Sequence, residues 1–277
     1  MNDGSMRHSS GLLVRSAMVF LCVAMTVVLL SCRQSAPDYT RQHEDKEAKE
    51  MLQGVWVNDD EGAPAWLVRG DSLFFPDATS LPAVFWIYGD SLYIQSSNVN
   101  SYLITKQAEH LFKFRNASGD DIRLVRSDDK RLLPLFAQHR PYAINFFRTF
   151  DVDTIANGGN RHYDCHLHIE PTSDRVIKSV FNNEGIEVDN MYLDNLVRLN
   201  ISTKGVGIYS HEFRKHEFSS FVPKEFMPKS ILRDVQLASA DTSAVCFDAV
   251  IGIPDAASSY VVELRISKKG ELSKRLK

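Results

Sequence analysis

The chain has 277 residues, 32 Lys and Arg against 35 Asp and Glu, and a formal net charge of −3. That balance gives no basic footprint for nucleic acid, so a nucleic-acid partner is excluded. Its 44% hydrophobic content supports a packed core, in one large domain or two small ones.

Residues 12–32, LLVRSAMVFLCVAMTVVLLSC, open the chain with Arg7 and Arg15 flanking the start of an apolar run that ends Leu29-Leu30-Ser31-Cys32. The run is shorter than the roughly 20 residues that span a bilayer, and its basic flank and small residue before Cys32 suit a processed signal. It resembles a bacterial lipoprotein signal peptide with its lipobox. The resemblance implies cleavage of residues 1–31, lipid on Cys32 and a mature chain tethered to a membrane outside the cytoplasm. Cleavage takes away Asp3, Arg7 and Arg15 and moves the formal charge from −3 to −4.

Residues 32–53 are expected to form a tether and a short helix. RQSAPDYT (33–40) is polar with a proline and reads as flexible; RQHEDKEAKEMLQ (41–53) is rich in helix formers.

From Gly54 the pattern changes to period two, which predicts strands at 54–58, 65–69, 72–76, 83–88, 91–96, 101–107, 110–115 and 121–126. Val68-Arg69-Gly70-Asp71-Ser72-Leu73-Phe74 recurs as Ile87-Tyr88-Gly89-Asp90-Ser91-Leu92-Tyr93. Each Gly-Asp pair suits a tight hairpin, and a third turn is expected at 116–120. Residues 54–126 therefore read as an antiparallel meander. Its Gly54-x-Trp56 opening and its closing Arg123 and Arg126 also look like the start and end of a small lipocalin-like barrel. Of its aromatics, Trp66, Phe74, Phe75, Phe85, Trp86 and Tyr88 are core by default and a ligand surface otherwise.

A charged, Pro-bounded connector (127–141) separates a second β-rich domain, 142–277. Strand-like runs are expected at 142–155, 161–170, 175–181, 195–202 and 206–213. A short helix or crossing loop follows (216–227), then strands at 231–239, 244–253 and 259–267 and a basic tail. The fold class is mainly β: two antiparallel modules, the second with a short helix.

Arg161 to Glu170 is the sharpest chemical candidate. On a strand, alternation puts His162, Asp164, His166, His168 and Glu170 on one face. Of His162, His166 and His168, a neighbouring pair such as His166 and His168 could share a metal ion, with a third donor from His211 or His216 on another strand; the alternative is a solvent face. His211-Glu212-Phe213-Arg214-Lys215-His216 fails the zincin spacing by one residue, and no Gly-x-Ser-x-Gly elbow is present. No catalytic residues are assigned, no cofactor is expected, and the chain is not read as an enzyme. Cys165 and Cys246 remain after processing and are expected either as a disulfide or as two buried thiols. Ser72, Ser91 and Thr154 sit in Asp-Ser/Thr-apolar triplets that resemble the periplasmic O-glycosylation sites of Bacteroidetes.

The lipobox, Leu52-Gln53-Gly54-Val55-Trp56, the Gly-Asp-Ser-Leu hairpins, Gln107 to Phe112, Val197-Arg198-Leu199-Asn200, Phe213, Phe221-Val222-Pro223 and Ser230-Ile231-Leu232 together resemble a Bacteroidales lipoprotein family of unknown function. The resemblance covers most of the mature chain. It implies an outer-membrane lipid anchor. Arg33-Gln34-Ser35-Ala36-Pro37 in place of acidic residues after Cys32 favours the periplasmic face. The expected role is a non-enzymatic binding or assembly module that engages an envelope protein, glycan or small ligand. A lipocalin-like carrier and a His-rich metal-binding protein are the alternatives.

Overall fold

The computed structural model describes residues 36–136 and 142–277. The signal, Cys22 and Cys32 lie outside the described residues. Two short helices lead in, α1 (Ala36–Gln42) and α2 (Lys46–Met51). The first corrects the expected flexible tether. Thr40 accepts a hydrogen bond from Trp86 Nε1 at 3.0 Å, and Tyr39 packs edge-on against Tyr88.

Eight strands follow: β1 (Gly54–Asn58), β2 (Pro64–Arg69), β3 (Ser72–Phe74), β4 (Ala83–Tyr88), β5 (Ser91–Gln95), β6 (Val99–Ala108), β7 (Leu111–Arg115) and β8 (Asp121–Ser127). Each pairs antiparallel with the next, and β1 also pairs with β8, so the meander closes into a barrel. Closure leaves no free strand edge in this module. The repeated hairpins use one design. Gly70 and Gly89 take φ of 58° and 59° at the first turn position, where a primed two-residue turn needs glycine. The next carbonyl, of Asp71 or Asp90, accepts from Phe85 N at 3.0 Å or Ile104 N at 2.7 Å on the following strand.

The barrel is full. Trp56, Trp66, Phe85, Phe112 and Phe114 have no exposed surface and share one core with Leu73, Ile87, Leu92 and Leu124. Of the aromatics weighed as a ligand surface, Trp66, Phe75, Phe85 and Trp86 are buried, and Phe74 and Tyr88 are half-buried.

One barrel end is closed by α2. Asp45 caps that helix through Ala48 N at 2.9 Å and donates its own N–H to Ile87 O at 2.7 Å. Gln107 Nε2 donates to Ala48 O at 2.6 Å. Trp56 Nε1 donates to Leu52 O at 2.7 Å, and Arg126 is Trp56's cross-strand partner. Gly54 has a φ of 114°, and a β-carbon there would meet the Arg126 guanidinium at 3.3 Å. The Gly-x-Trp pattern thus has a local steric cause.

The connector holds a 3₁₀ helix, Lys130–Phe136. After it the chain forms two four-stranded antiparallel sheets. One is ordered β12-β11-β10-β9: β9 (Phe150–Gly158), β10 (Arg161–Phe181), β11 (Glu187–Thr203), β12 (Val206–Arg214). The other is β13 (Ile231–Ala240), β14 (Ala244–Gly252), β15 (Ser259–Ser267), β16 (Leu272–Leu276). The inward rows Tyr163, Cys165, Leu167, Ile169 and Val245, Phe247, Ala249, Ile251 meet in a shared core, which makes the module a β-sandwich. The basic tail is a paired edge strand. Lys274 Nζ bonds Glu217 at 3.0 Å and lies over the Phe213 and Phe218 rings.

The strands expected at 161–170 and 175–181 are one strand, irregular between Pro171 and Arg175. The β10–β11 hairpin therefore extends beyond the sandwich, and its tip closes the second barrel end. Ile186 and Val188 are fully buried members of the barrel core. Around them Glu187 accepts from Asn98 Nδ2 at 2.7 Å and Asn100 Nδ2 at 3.1 Å, and Asp189 accepts from Ser97 Oγ at 2.7 Å.

Candidate functional site

The outer face of the β9–β12 sheet carries the histidines. Register aligns its side chains in rows across four strands. Ile155, Asp164, Ser202 and Gly207 form one; Asp153, His166, Asn200 and Ser210 the next; Asp151, His168, Arg198 and Glu212 the third. Along these rows His166 Nδ1 bonds Asp153 at 2.8 Å and Ser210 Oγ donates to Asn200 Oδ1 at 2.7 Å. His168 Nδ1 bonds Asp151 at 2.7 Å, and Arg198 donates to Glu212 at 3.2 Å and Glu170 at 2.7 Å. The Asp151 carboxylate, and then Glu170, hold His168 above the usual histidine range.

A cleft of about 550 Å³ lies over the first two rows, lined by Asp153, Ile155, Asp164, His166, Asn200 and Ser202 among others. Its depth follows from small residues: Ser202 and Gly207 leave room where neighbouring positions carry long side chains. The volume falls within the range typical of small-ligand sites. The lining is mainly apolar, with Ile155, Ile201 and Tyr209 among it, and carries carboxylate, amide and hydroxyl groups at its edges, a combination that suits a ligand with both apolar and hydrogen-bonding parts. The Ser210 hydroxyl is directed to Asn200 rather than to an imidazole.

The metal expectation for His162, His166 and His168 is corrected. Among the described residues no group of three or more His, Cys, Asp and Glu stands in position to hold an ion. His162 bonds Asn157 and stands apart, while His166 bonds Asp153 and His168 bonds Asp151, with His166 Nε2 also 3.5 Å from the same Asp151 oxygen. His211 pairs across from Leu199, an inward residue, and bonds Glu217 at 3.0 Å, so it occupies the opposite face from His166.

The disulfide alternative is corrected too. Cys165 and Cys246 are both buried and free. Cys165 faces the sandwich core, whereas Cys246 alternates with the core residues Val245 and Phe247 and lies beneath Arg265, whose Nη1 is 3.5 Å from its sulfur. Burial, with Asp164 adding, pushes the Cys165 thiol up to about 11. Ser72 and Ser91 are half-exposed beside their hairpin turns. Thr154 is half-buried across from the inward Cys165.

The sequence pattern did not mark Asp151, Asp153, Asn200, Ser202 or Ser210 as site residues. The Asp151-x-Asp153 alternation marks a shared strand face, but the register that sets it beside the histidines is non-local.

A closed, filled eight-stranded barrel stoppered by the hairpin of a β-sandwich, with a cleft on the sandwich's outer sheet, defines the class of protein. Residues 132–274 match the model of a family described as a domain of unknown function, DUF4738; the chain belongs to that family. No curated protein matches it.

Proposed function

We propose that this chain is a lipid-anchored envelope protein of the Bacteroidales lipoprotein type, held by Cys32 at the periplasmic face of the outer membrane. It acts there as a non-enzymatic binding or assembly module. Its ligand, an envelope glycan, protein or small molecule, engages the β9–β12 face. The observation that carries this reading is the distribution of space. The barrel interior is taken up by its own aromatic rings and stoppered at both ends, while the 550 Å³ cleft lies on the sandwich. The same filling weighs against the carrier alternative, although a lipocalin-like barrel is compatible with the strand order.

The test is in-cell photocrosslinking of the full chain with the photoreactive residue at Ser210 or, as a control, at exposed Lys106 on the barrel. A discrete adduct at 210 that N200A abolishes supports the reading. Equal adducts at both positions, or adducts from the barrel alone, overturn it. In the same cells Cys32→Ala is expected to remove palmitate labelling and release the chain from membranes.

A further inference from the structure

A second cleft, of about 190 Å³, lies where residues 144–150 cross the β10–β11 hairpin beside the β14–β15 turn. Both of its walls are fixed. Asn145 is buried, and its side-chain amide donates to Leu193 O at 2.6 Å while its Oδ1 accepts from Leu193 N at 2.7 Å. Ile144 N donates to Met191 O at 3.0 Å, so this turn is tied to β11 through Ile144 and Asn145. Opposite, Asp255 sits at a left-handed φ of 44° and accepts from Tyr192 Oη at 2.7 Å. Lys178 Nζ donates to the Pro254 and Asp255 carbonyls at 2.7 and 2.9 Å.

Two guanidinium groups line this space, those of Arg148 and Arg233. Among the described residues neither has a carboxylate within ion-pair distance; Arg233 Nη1 donates only to Ala256 O, at 2.9 Å. Arg233 is half-buried, where an uncompensated charge is costly. The one carboxylate in the lining, Asp255, accepts from Tyr192 Oη and pairs with neither guanidinium, so the lining carries two cations against one anion. Unpaired guanidinium forks are matched to carboxylate and phosphate oxygens.

The surroundings are apolar. Phe150 lines the cleft at 46% exposure, and on the same segment Phe147 is 82% and Phe146 51% exposed. Phe146 and Phe147 pack edge-to-face at 4.9 Å. Such a concentration of exposed rings marks an interaction surface. At about 30 Å³ per water, the cleft has room for a head group but not for a long chain, which leaves the rings to cover the rest.

We propose that this cleft binds the anionic head of a small amphiphile. Arg148 and Arg233 hold a carboxylate or phosphate, and Phe146, Phe147 and Phe150 cover its apolar tail. The site is separate from the β9–β12 face and does not depend on the function proposed for it.

The test is calorimetric titration of the full chain, in a neutral maltoside detergent, with hexyl phosphate, hexanoate, 1-hexanol and inorganic phosphate. At least one of the two anionic amphiphiles is expected to bind ten-fold or more tightly than both hexanol and inorganic phosphate, and the tighter of the two identifies the head. Arg148 is exposed, so R148Q leaves the fold intact and is expected to remove that advantage. F147S is expected to weaken the amphiphile but not inorganic phosphate. Binding that is absent, equal for all four probes, or unchanged in R148Q overturns the proposal.

Discussion

The hairpin tip offers a test of how the two modules depend on each other. Ile186 is fully buried in the barrel core, yet it lies 59 residues beyond the last barrel strand, which ends at Ser127. Ile186→Ala removes three buried carbons. At about 0.8 kcal/mol per CH₂ the transfer cost is about 2.4 kcal/mol, and the residual cavity raises the total to about 3, within the ~2–5 seen for such truncations. At about 2–4 °C per kcal/mol for a chain of this size, the midpoint should fall by about 6–12 °C. All three tryptophans, Trp56, Trp66 and Trp86, are in barrel strands, so intrinsic fluorescence reports barrel unfolding alone. Phe181→Ser on the same hairpin is the control: Phe181 is 62% exposed, and its loss should cost no more than about 0.5 kcal/mol. A tryptophan transition that stays in place in I186A, while the circular-dichroism transition of the strands moves, would refute the idea that the tip supports the barrel.

Other consequences can be checked directly. His168 should titrate above 6.5 by NMR and return toward that value in D151N, because Asp151 is the leading cause of its raised pKa. A raised folded-state pKa means the pairing stabilises fully below the unfolded value, near 6.5, and its contribution fades as pH rises through the folded one; a lower midpoint than 6.5 would contradict the pairing. Both sandwich thiols are buried and free, and Cys165 is pushed up to about 11. An aromatic disulfide reagent at pH 8 should therefore label neither in native protein and both after denaturation. Gly158→Ala should cost about 1–3 kcal/mol by overpacking, since its β-carbon would stand 2.1 Å from the Asp241 carbonyl oxygen; unchanged denaturant stability would show that β9 does not pack against that turn as described.

The strands were the most legible part, because hydrophobic alternation and turn residues are local. Gly70-Asp71 and Gly89-Asp90 marked two hairpins that the structure contains. Closure was less legible. That β1 pairs with β8 depends on a contact between residues about 70 apart, and only Gly54, Trp56 and Arg126 hinted at it. Pro171-Thr172-Ser173-Asp174 has the composition of a turn and predicts two strands where β10 is one; the chain accommodates it as an irregularity within the ladder. For the site, alternation placed His162, Asp164, His166, His168 and Glu170 on one face. It could not reveal that β9 supplies two carboxylates there, Asp153 beside His166 and Asp151 shared by His166 and His168. That partner choice turns a possible metal ladder into a hydrogen-bonded polar surface.

Ile186 and Val188 lie within the residues that match the family model, whereas the barrel strands lie outside them. The matched domain therefore carries an apolar hairpin tip that needs a cover, and in this chain the barrel supplies it. This explains why the barrel end facing the sandwich is closed by a hairpin from another module rather than by a loop of its own. It also makes a fifth prediction. Residues 142–277 expressed alone, without the Lys130–Phe136 helix that also packs on the barrel through Phe136, would expose both side chains, together with the half-buried Val180 that packs in the same cluster. The truncated chain should self-associate on gel filtration, and Ile186→Ser with Val188→Thr should restore a monomer, because both positions then face water and only the barrel contact has been lost. A monomeric truncation without those changes would mean that the tip is tolerated in water, and that the barrel's contact with it is incidental to the stability of the family domain.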